Sequence, residues 1–77
     1  MMELNDFIEK FAIQFEDTGA AELTAETEFK ALDEWSSLAA LNVIAMVDEE
    51  YGIVIKGKDI RESETIEDLF NVVKSLK

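Results

Sequence analysis

The chain has 77 residues, with 18 Asp and Glu against 7 Lys and Arg, which gives a net charge of −11. One domain of this size buries only about 60–65% of its unfolded chain's surface, so it has little core to spare for a catalytic cleft. The acidic charge disfavours nucleic acid and anionic lipid as partners and favours basic protein surfaces. The chain contains no Cys and no His, which excludes thiol nucleophiles, zinc sites built on these residues and the commonest general base.

No apolar run approaches the about 20 residues that span a bilayer, and the acidic N-terminus differs from a signal peptide. We therefore expect a cytoplasmic protein without membrane insertion. As a separate prediction, we expect it to be a monomer.

The first 35 residues predict a helix followed by a long connection. Apolar residues recur at helical spacing between residues 4 and 15: Leu4, Phe7, Ile8, Phe11 and Phe15. Asp17, Thr18 and Gly19 are predicted to end this helix, because Gly accepts the left-handed conformation found after helix C-termini. Residues 19–35 lack sustained periodicity, yet several apolar side chains can pin them to the core. These are Leu23, Phe29, Leu32 and Trp35. We predict an ordered crossover.

Residues 37–51 predict a second helix, with Gly52 as its stop. At 100° per residue, one side is predicted to face the core: Ala40, Val43, Ile44, Val47 and Tyr51. An apolar stripe lies nearly opposite, beside polar and acidic residues. Its members are Leu38, Leu41 and Ala45, flanked by Asn42, Asp48 and Glu49. Such a stripe indicates a docking surface, although the long first loop is an alternative cover for it.

The C-terminal third predicts a connector and two helical segments. Residues 53–55 form a β-branched run that we expect to be extended, and residues 59–62 a short helical turn. Thr65 and Asp68 resemble a capping box before a last helix. The apolar face of that helix is Ile66, Leu69, Phe70, Val73 and Leu76. The predicted fold is all-α: a small single-domain bundle (residues 1–77) of three longer helices and a short one, with a long first loop.

The pattern that carries most functional information begins at the second helix. Ser36, Ser37 and Leu38 start it, and the acidic and aromatic run DEEYG follows at residues 48–52. With the approach LTAETEFKAL at residues 23–32, these features resemble the acyl carrier protein family over nearly the whole chain.

The resemblance implies an acyl-carrier-like fold in a protein that is not itself an enzyme. Ser37 would carry 4′-phosphopantetheine, attached from coenzyme A by a separate phosphopantetheinyl transferase. The arm's thiol would hold acyl intermediates of a fatty-acid, polyketide or related specialised pathway. Partners with basic surfaces would dock on the second helix, at Leu38, Leu41, Asn42, Ala45, Asp48 and Glu49.

The chain departs from the family pattern at two places. The usual Asp before the modified serine is Ser36, whose missing charge Asp33 and Glu34 can partly replace. Several second-helix positions that are acidic in typical fatty-acid carriers are Ala39, Ala40 and Asn42, which indicates a specialised partner set.

Other interpretations remain open at this point. Both serines suit a helix N-cap without any modification. If neither serine is modified, the chain is a helical interaction module. If Ser37 is modified, a peptidyl or aminoacyl carrier is the other alternative. We expect no metal site, because the acidic run from Asp48 does not fit the spacing of a calcium loop.

Overall fold

The computed structural model describes residues 3–16 and 18–76, which form a small all-helical bundle. Its α-helices are α1 (Leu4–Ala12), α2 (Ser37–Tyr51), α3 (Gly57–Glu62) and α4 (Ile66–Leu76). Two short 3₁₀ helices, Ala20–Glu22 and Phe29–Ala31, lie in the first connection. The described residues contain no β-strand. This confirms the predicted fold class of three longer helices and a short one.

Helix α1 ends earlier than the sequence predicted. It stops at Ala12, and the following turn is tightened by i−3 hydrogen bonds from Gln14 N–H to Phe11 O and from Phe15 N–H to Ala12 O. This turn still brings Phe15 into the core. Of the predicted stop, Asp17 lies outside the described residues, and Gly19 does not have the left-handed backbone expected of it.

The first connection is ordered, as predicted. Leu23 and Phe29 are buried, while Leu32 and Trp35 pack against the core. This connection also accepts hydrogen bonds from the first N–H groups of α4. The Ile66 N–H donates to the Thr27 carbonyl at 3.1 Å, and the Glu67 N–H donates to the Ala25 carbonyl at 3.0 Å. These bonds use helix N–H groups that have no intrahelical acceptor.

Glu34 links the two ends of the first connection by hydrogen bonds. Its carboxylate accepts from the Thr18 hydroxyl at 2.6 Å and from the Glu16 N–H at 3.2 Å. The beginning and the end of the connection are therefore joined immediately before the serine pair.

The buried face of α2 is rotated relative to the predicted one. Its buried residues are Ala39, Val43, Met46 and Val47. Ala40, Ile44 and Tyr51 were predicted to lie in the core but are only half-buried. Ala40 and Ile44 instead border an open groove between α2 and α3, which explains their partial exposure. Gly52 ends α2 with φ +67°, and its N–H donates to the Asp48 carbonyl at 2.9 Å.

The remaining elements follow the predicted order. In the connector, Ile53 and Ile55 are buried and Val54 is exposed. The predicted turn is the helix α3, two residues longer than expected. Along α4 the predicted apolar face is buried except for Leu76, which is 53% exposed because the helix ends there beyond the edge of the core.

One aromatic network runs through the core. All ring pairs in it have centroids 5.0–6.4 Å apart, and they join Phe7, Phe11, Phe15, Phe29, Trp35, Tyr51 and Phe70. Such pairs contribute about 0.5–1.5 kcal/mol each beyond their buried area. The network therefore links α1, α2, α4 and the first connection.

Among the described residues, no helix has both the length and the apolar composition needed to cross a bilayer.

The capping box of α4 generates a pH-dependent prediction. The Asp68 carboxylate accepts from the N–H groups of Thr65 and Glu64, both at 3.1 Å, and these bonds lower the pKa of Asp68 below its usual 3.8. The Asp68 N–H donates in return to the Thr65 hydroxyl at 3.1 Å.

We expect Asp68→Asn to lower the free energy of unfolding at pH 7, where the native carboxylate is ionised. A depressed pKa contributes stability that is fully present above the unfolded-state value and is lost as the pH falls through the folded-state value. The difference between the two proteins should therefore shrink below pH 3.8. Urea titrations across that range would test it, and a difference independent of pH would contradict it.

Candidate functional site

Ser36 is the N-cap of α2. Its backbone is extended (φ −157°, ψ 175°), and its Oγ accepts from the Ala39 N–H at 3.1 Å. Its carbonyl accepts the first intrahelical bond, from the Ala40 N–H at 3.0 Å. Ser36 therefore performs the capping role that either serine was suited to by sequence.

Ser37 is the first residue of α2, and its side chain takes no part in the N-cap. The residue is exposed, and its hydroxyl has no hydrogen-bond partner within the described part of the chain. The helix holds its Cα in place while the Oγ faces solvent. A hydroxyl of this kind is accessible to a second protein and is not needed for the fold.

A groove of about 620 Å³ opens beside Ser37, between the first half of α2, the end of the first connection and α3. Its apolar walls are Trp35, Ala40, Leu41, Ile44 and Ile60. Two basic side chains, Lys30 and Arg61, also line it, and both serines lie on its rim. The groove is thus mainly apolar, with a positive charge at its polar side.

The groove lacks the groups that would activate Ser37 as a nucleophile. A serine hydroxyl needs an adjacent general base, and none of the residues around the groove is His, Asp or Glu. Within residues 3–16 and 18–76 no cluster of acidic residues is arranged to hold a metal ion. The site can receive a group on Ser37 with outside catalysis, but it has no base of its own.

The predicted apolar stripe of α2 is open to solvent. Leu38 is 67% exposed and Leu41 is 62% exposed, and Asn42 and Ala45 are exposed beside them. The alternative that the first loop covers these side chains is therefore wrong. Ala39, one of the second-helix positions at which the sequence departs from the family pattern, is buried in the core and does not belong to this surface.

Ile13 extends this surface and was missed by the sequence analysis. It is 76% exposed, just beyond the end of α1, and shares a shallow groove with Asn42, Ala45 and Glu49. The available signal was an Ile outside the helical spacing that Phe11 and Phe15 follow. This signal is weak, because the same spacing predicts that α1 continues through residue 15.

The end of α2 adds negative charge to the surface. Asp48 and Glu49 are exposed, and neither has an ion pair among the described residues. Glu50 lies 3.6 Å from the Lys10 ammonium, which also donates to Asp6 at 2.6 Å. The bond to Asp6 raises the pKa of Lys10 above 10.5. Asp48 and Glu49, the two carboxylates without an ion pair among the described residues, lie on the same helix as the apolar stripe.

The chain was compared with protein-family models, with curated protein sequences and with solved structures, and none of these comparisons gave a match.

The two serines should differ sharply in their effect on stability. We expect Ser36→Ala to lower the free energy of unfolding by about 1 kcal/mol, because it removes the N-cap acceptor. That loss corresponds to about 4–8 °C in the thermal midpoint of a domain of this size. Ser37→Ala is the matched control and should leave the midpoint within about 2 °C, since its hydroxyl makes no bond. Thermal unfolding followed by circular dichroism measures both, and equal losses would contradict the assignment of the cap.

Proposed function

We propose that this protein is a cytoplasmic carrier protein that is modified at Ser37 with 4′-phosphopantetheine and carries acyl intermediates between enzymes. The observation that supports it best is the unbonded Ser37 hydroxyl, held at the start of α2 on the rim of an apolar groove. The resemblance of the sequence to acyl carrier proteins gives this hydroxyl its role.

The chemistry of the chain fits a group added by another enzyme. With no Cys, the protein has no thiol on which to hold an acyl thioester, and the attached arm would supply one. In the loading step the Ser37 oxygen bonds to the phosphorus of coenzyme A's phosphopantetheine phosphate. Adenosine 3′,5′-bisphosphate leaves, and a base of the transferase takes the hydroxyl proton. The transferase also brings the metal ions that such a phosphoryl transfer uses.

The groove beside Ser37 gives the carrier a place for its cargo. Its apolar walls remove hydrocarbon from water, a transfer worth about 0.8 kcal/mol per buried CH₂. Because the groove is open along one side, a chain held there can be withdrawn into a partner's active site. An acyl group of a fatty-acid, polyketide or related pathway suits this environment.

The exposed face of α2 serves as the docking surface. Leu38 and Leu41 provide apolar contacts, and Asp48 and Glu49 provide negative charge beside them. Charge of this kind attracts a basic partner surface and speeds its association. Asn42, Ala45 and Ile13 complete the surface toward α1.

The loading of Ser37 can be tested by intact-protein mass spectrometry. The protein is incubated with coenzyme A, Mg²⁺ and a promiscuous phosphopantetheinyl transferase. We expect the mass to rise by one phosphopantetheine group, and Ser37→Ala to show no gain although it folds normally. Ser36→Asp is a useful second variant, because it retains an N-cap and restores the acidic residue that many transferases contact.

One result of this experiment would contradict the carrier function, and another would contradict the assignment of Ser37. If neither the native protein nor Ser36→Asp gains mass, the chain is better described as an unmodified helical interaction module. A gain that persists in Ser37→Ala would place the modification on another residue.

The docking surface generates a separate prediction. We expect Leu41→Asp to raise the transferase KM about fivefold or more, because it removes an apolar contact of the kind that dominates interfaces. Helicity should not change, since Leu41 is 62% exposed. Val54→Asp is the matched control, because Val54 is 66% exposed on the connector after α2. An unchanged KM in Leu41→Asp, or an equal rise in the control, would contradict the assignment.

A further inference from the structure

The groove beside Ser37 carries a charge opposite in sign to that of the whole protein. Its two charged lining residues are Lys30 and Arg61, and no described acidic side chain lines it. The chain as a whole has 18 acidic and only 7 basic residues. The composition alone would therefore favour carboxylates around the groove, and the local positive charge requires a separate explanation.

Lys30 is only partly used by the fold. Its Nζ donates to the Arg61 carbonyl at 2.8 Å, which joins the second 3₁₀ helix to the end of α3. An ammonium group has three N–H donors, so two are left over. Glu28 and Glu64 border Lys30 in a depression outside the groove, but neither forms a salt bridge with it. Its charge thus has no paired anion in the described part of the chain.

Arg61 also lies along the groove without an acidic partner. Its Nη1 is 3.5 Å from the position that a Cβ would take on Gly57, so the side chain folds back over the start of its own helix. Among residues 3–16 and 18–76 it forms no salt bridge. A guanidinium presents five donors in a planar fork that matches the oxygens of a phosphate. Both cations of the groove are therefore available to an anion.

We propose that Lys30 and Arg61 form a binding site for a phosphate ester carried on the Ser37 hydroxyl. This inference rests on the proposed function, from which it takes Ser37 as the residue that carries the phosphate. Ser37 lines the same groove as both cations. Lys30, Arg61 and Ser37 are all exposed, so solvent partly screens the attraction and its effect is modest. Lys30 and Arg61 act as positioning residues that hold the first segment of the arm along the groove.

The test needs a phosphate on Ser37 without depending on any transferase. The full 77-residue chain is short enough for chemical synthesis with phosphoserine at position 37. The second ionisation of its phosphate, with a pKa of about 6, is followed by ³¹P NMR. Nearby cations stabilise the dianion, so we expect this pKa to rise by about 0.5 unit in Lys30→Gln/Arg61→Gln. A purely structural role of either residue would not produce that rise.

The matched control removes two positive charges elsewhere on α3 and its cap. Lys56→Gln/Lys58→Gln should leave the phosphate pKa unchanged, because neither residue lines the groove. The charge-conserving Lys30→Arg/Arg61→Lys should also keep the native value. Circular dichroism of the unphosphorylated variants establishes that each is folded.

Equal phosphate pKa values in all the variants would overturn the inference, and so would a rise of equal size in the control. Either result is distinguishable from failure of the carrier function, since loading by a transferase is measured separately by mass. Conversely, a site that binds the phosphate in a chain that no transferase loads would keep the inference and remove the carrier function.

Discussion

The contact between the rings of Phe11 and Phe29 is the constraint on which the candidate site depends. Both side chains are fully buried, and their centroids lie 5.5 Å apart in an edge-to-face arrangement. Phe29 in turn contacts Trp35 at 5.0 Å, and Trp35 directly precedes Ser36. A long connection, which would otherwise be costly to order, is thereby fixed to α1. The start of α2 is positioned by the core and not by the loop alone.

Helix α2 meets three environments around its circumference. One side packs into the core through Val43 and Val47, a second borders the groove through Ala40 and Ile44, and a third exposes Leu38 to solvent. The helix can serve all three because Ser36 caps it and Gly52 ends it. The groove and the proposed docking surface therefore share one rigid element, so a partner bound on one is placed close to a group held in the other.

The distribution of charge separates two kinds of recognition. Acidic side chains at the end of α2 would attract a basic partner over distances of about 8–10 Å at moderate salt. The positive charges of Lys30 and Arg61 line the groove, where they would act on the group proposed to be attached at Ser37. In a protein with net charge −11, this local positive charge would offset the repulsion between the proposed phosphate on Ser37 and the rest of the surface.

The sequence by itself determined the four helical segments, the ordered connection, the Thr65–Asp68 capping box and the position of the apolar stripe at Leu38 and Leu41, whereas the exposure of that stripe was decided by the tertiary structure. The helices and the stripe follow from local spacing, the connection from its apolar side chains, and the capping box from side chains that bond backbone groups three or four residues away. Either serine suits the N-cap by residue type, and the structure confirmed Ser36, which the sequence pattern favoured. The tertiary structure also decided the rotation of the α2 core face and the exposure of Ile13, which depend on where neighbouring helices end. The hydrogen bond from the Lys30 ammonium to the Arg61 carbonyl joins residues 31 positions apart. No local pattern encodes a contact between segments that meet only in the folded chain.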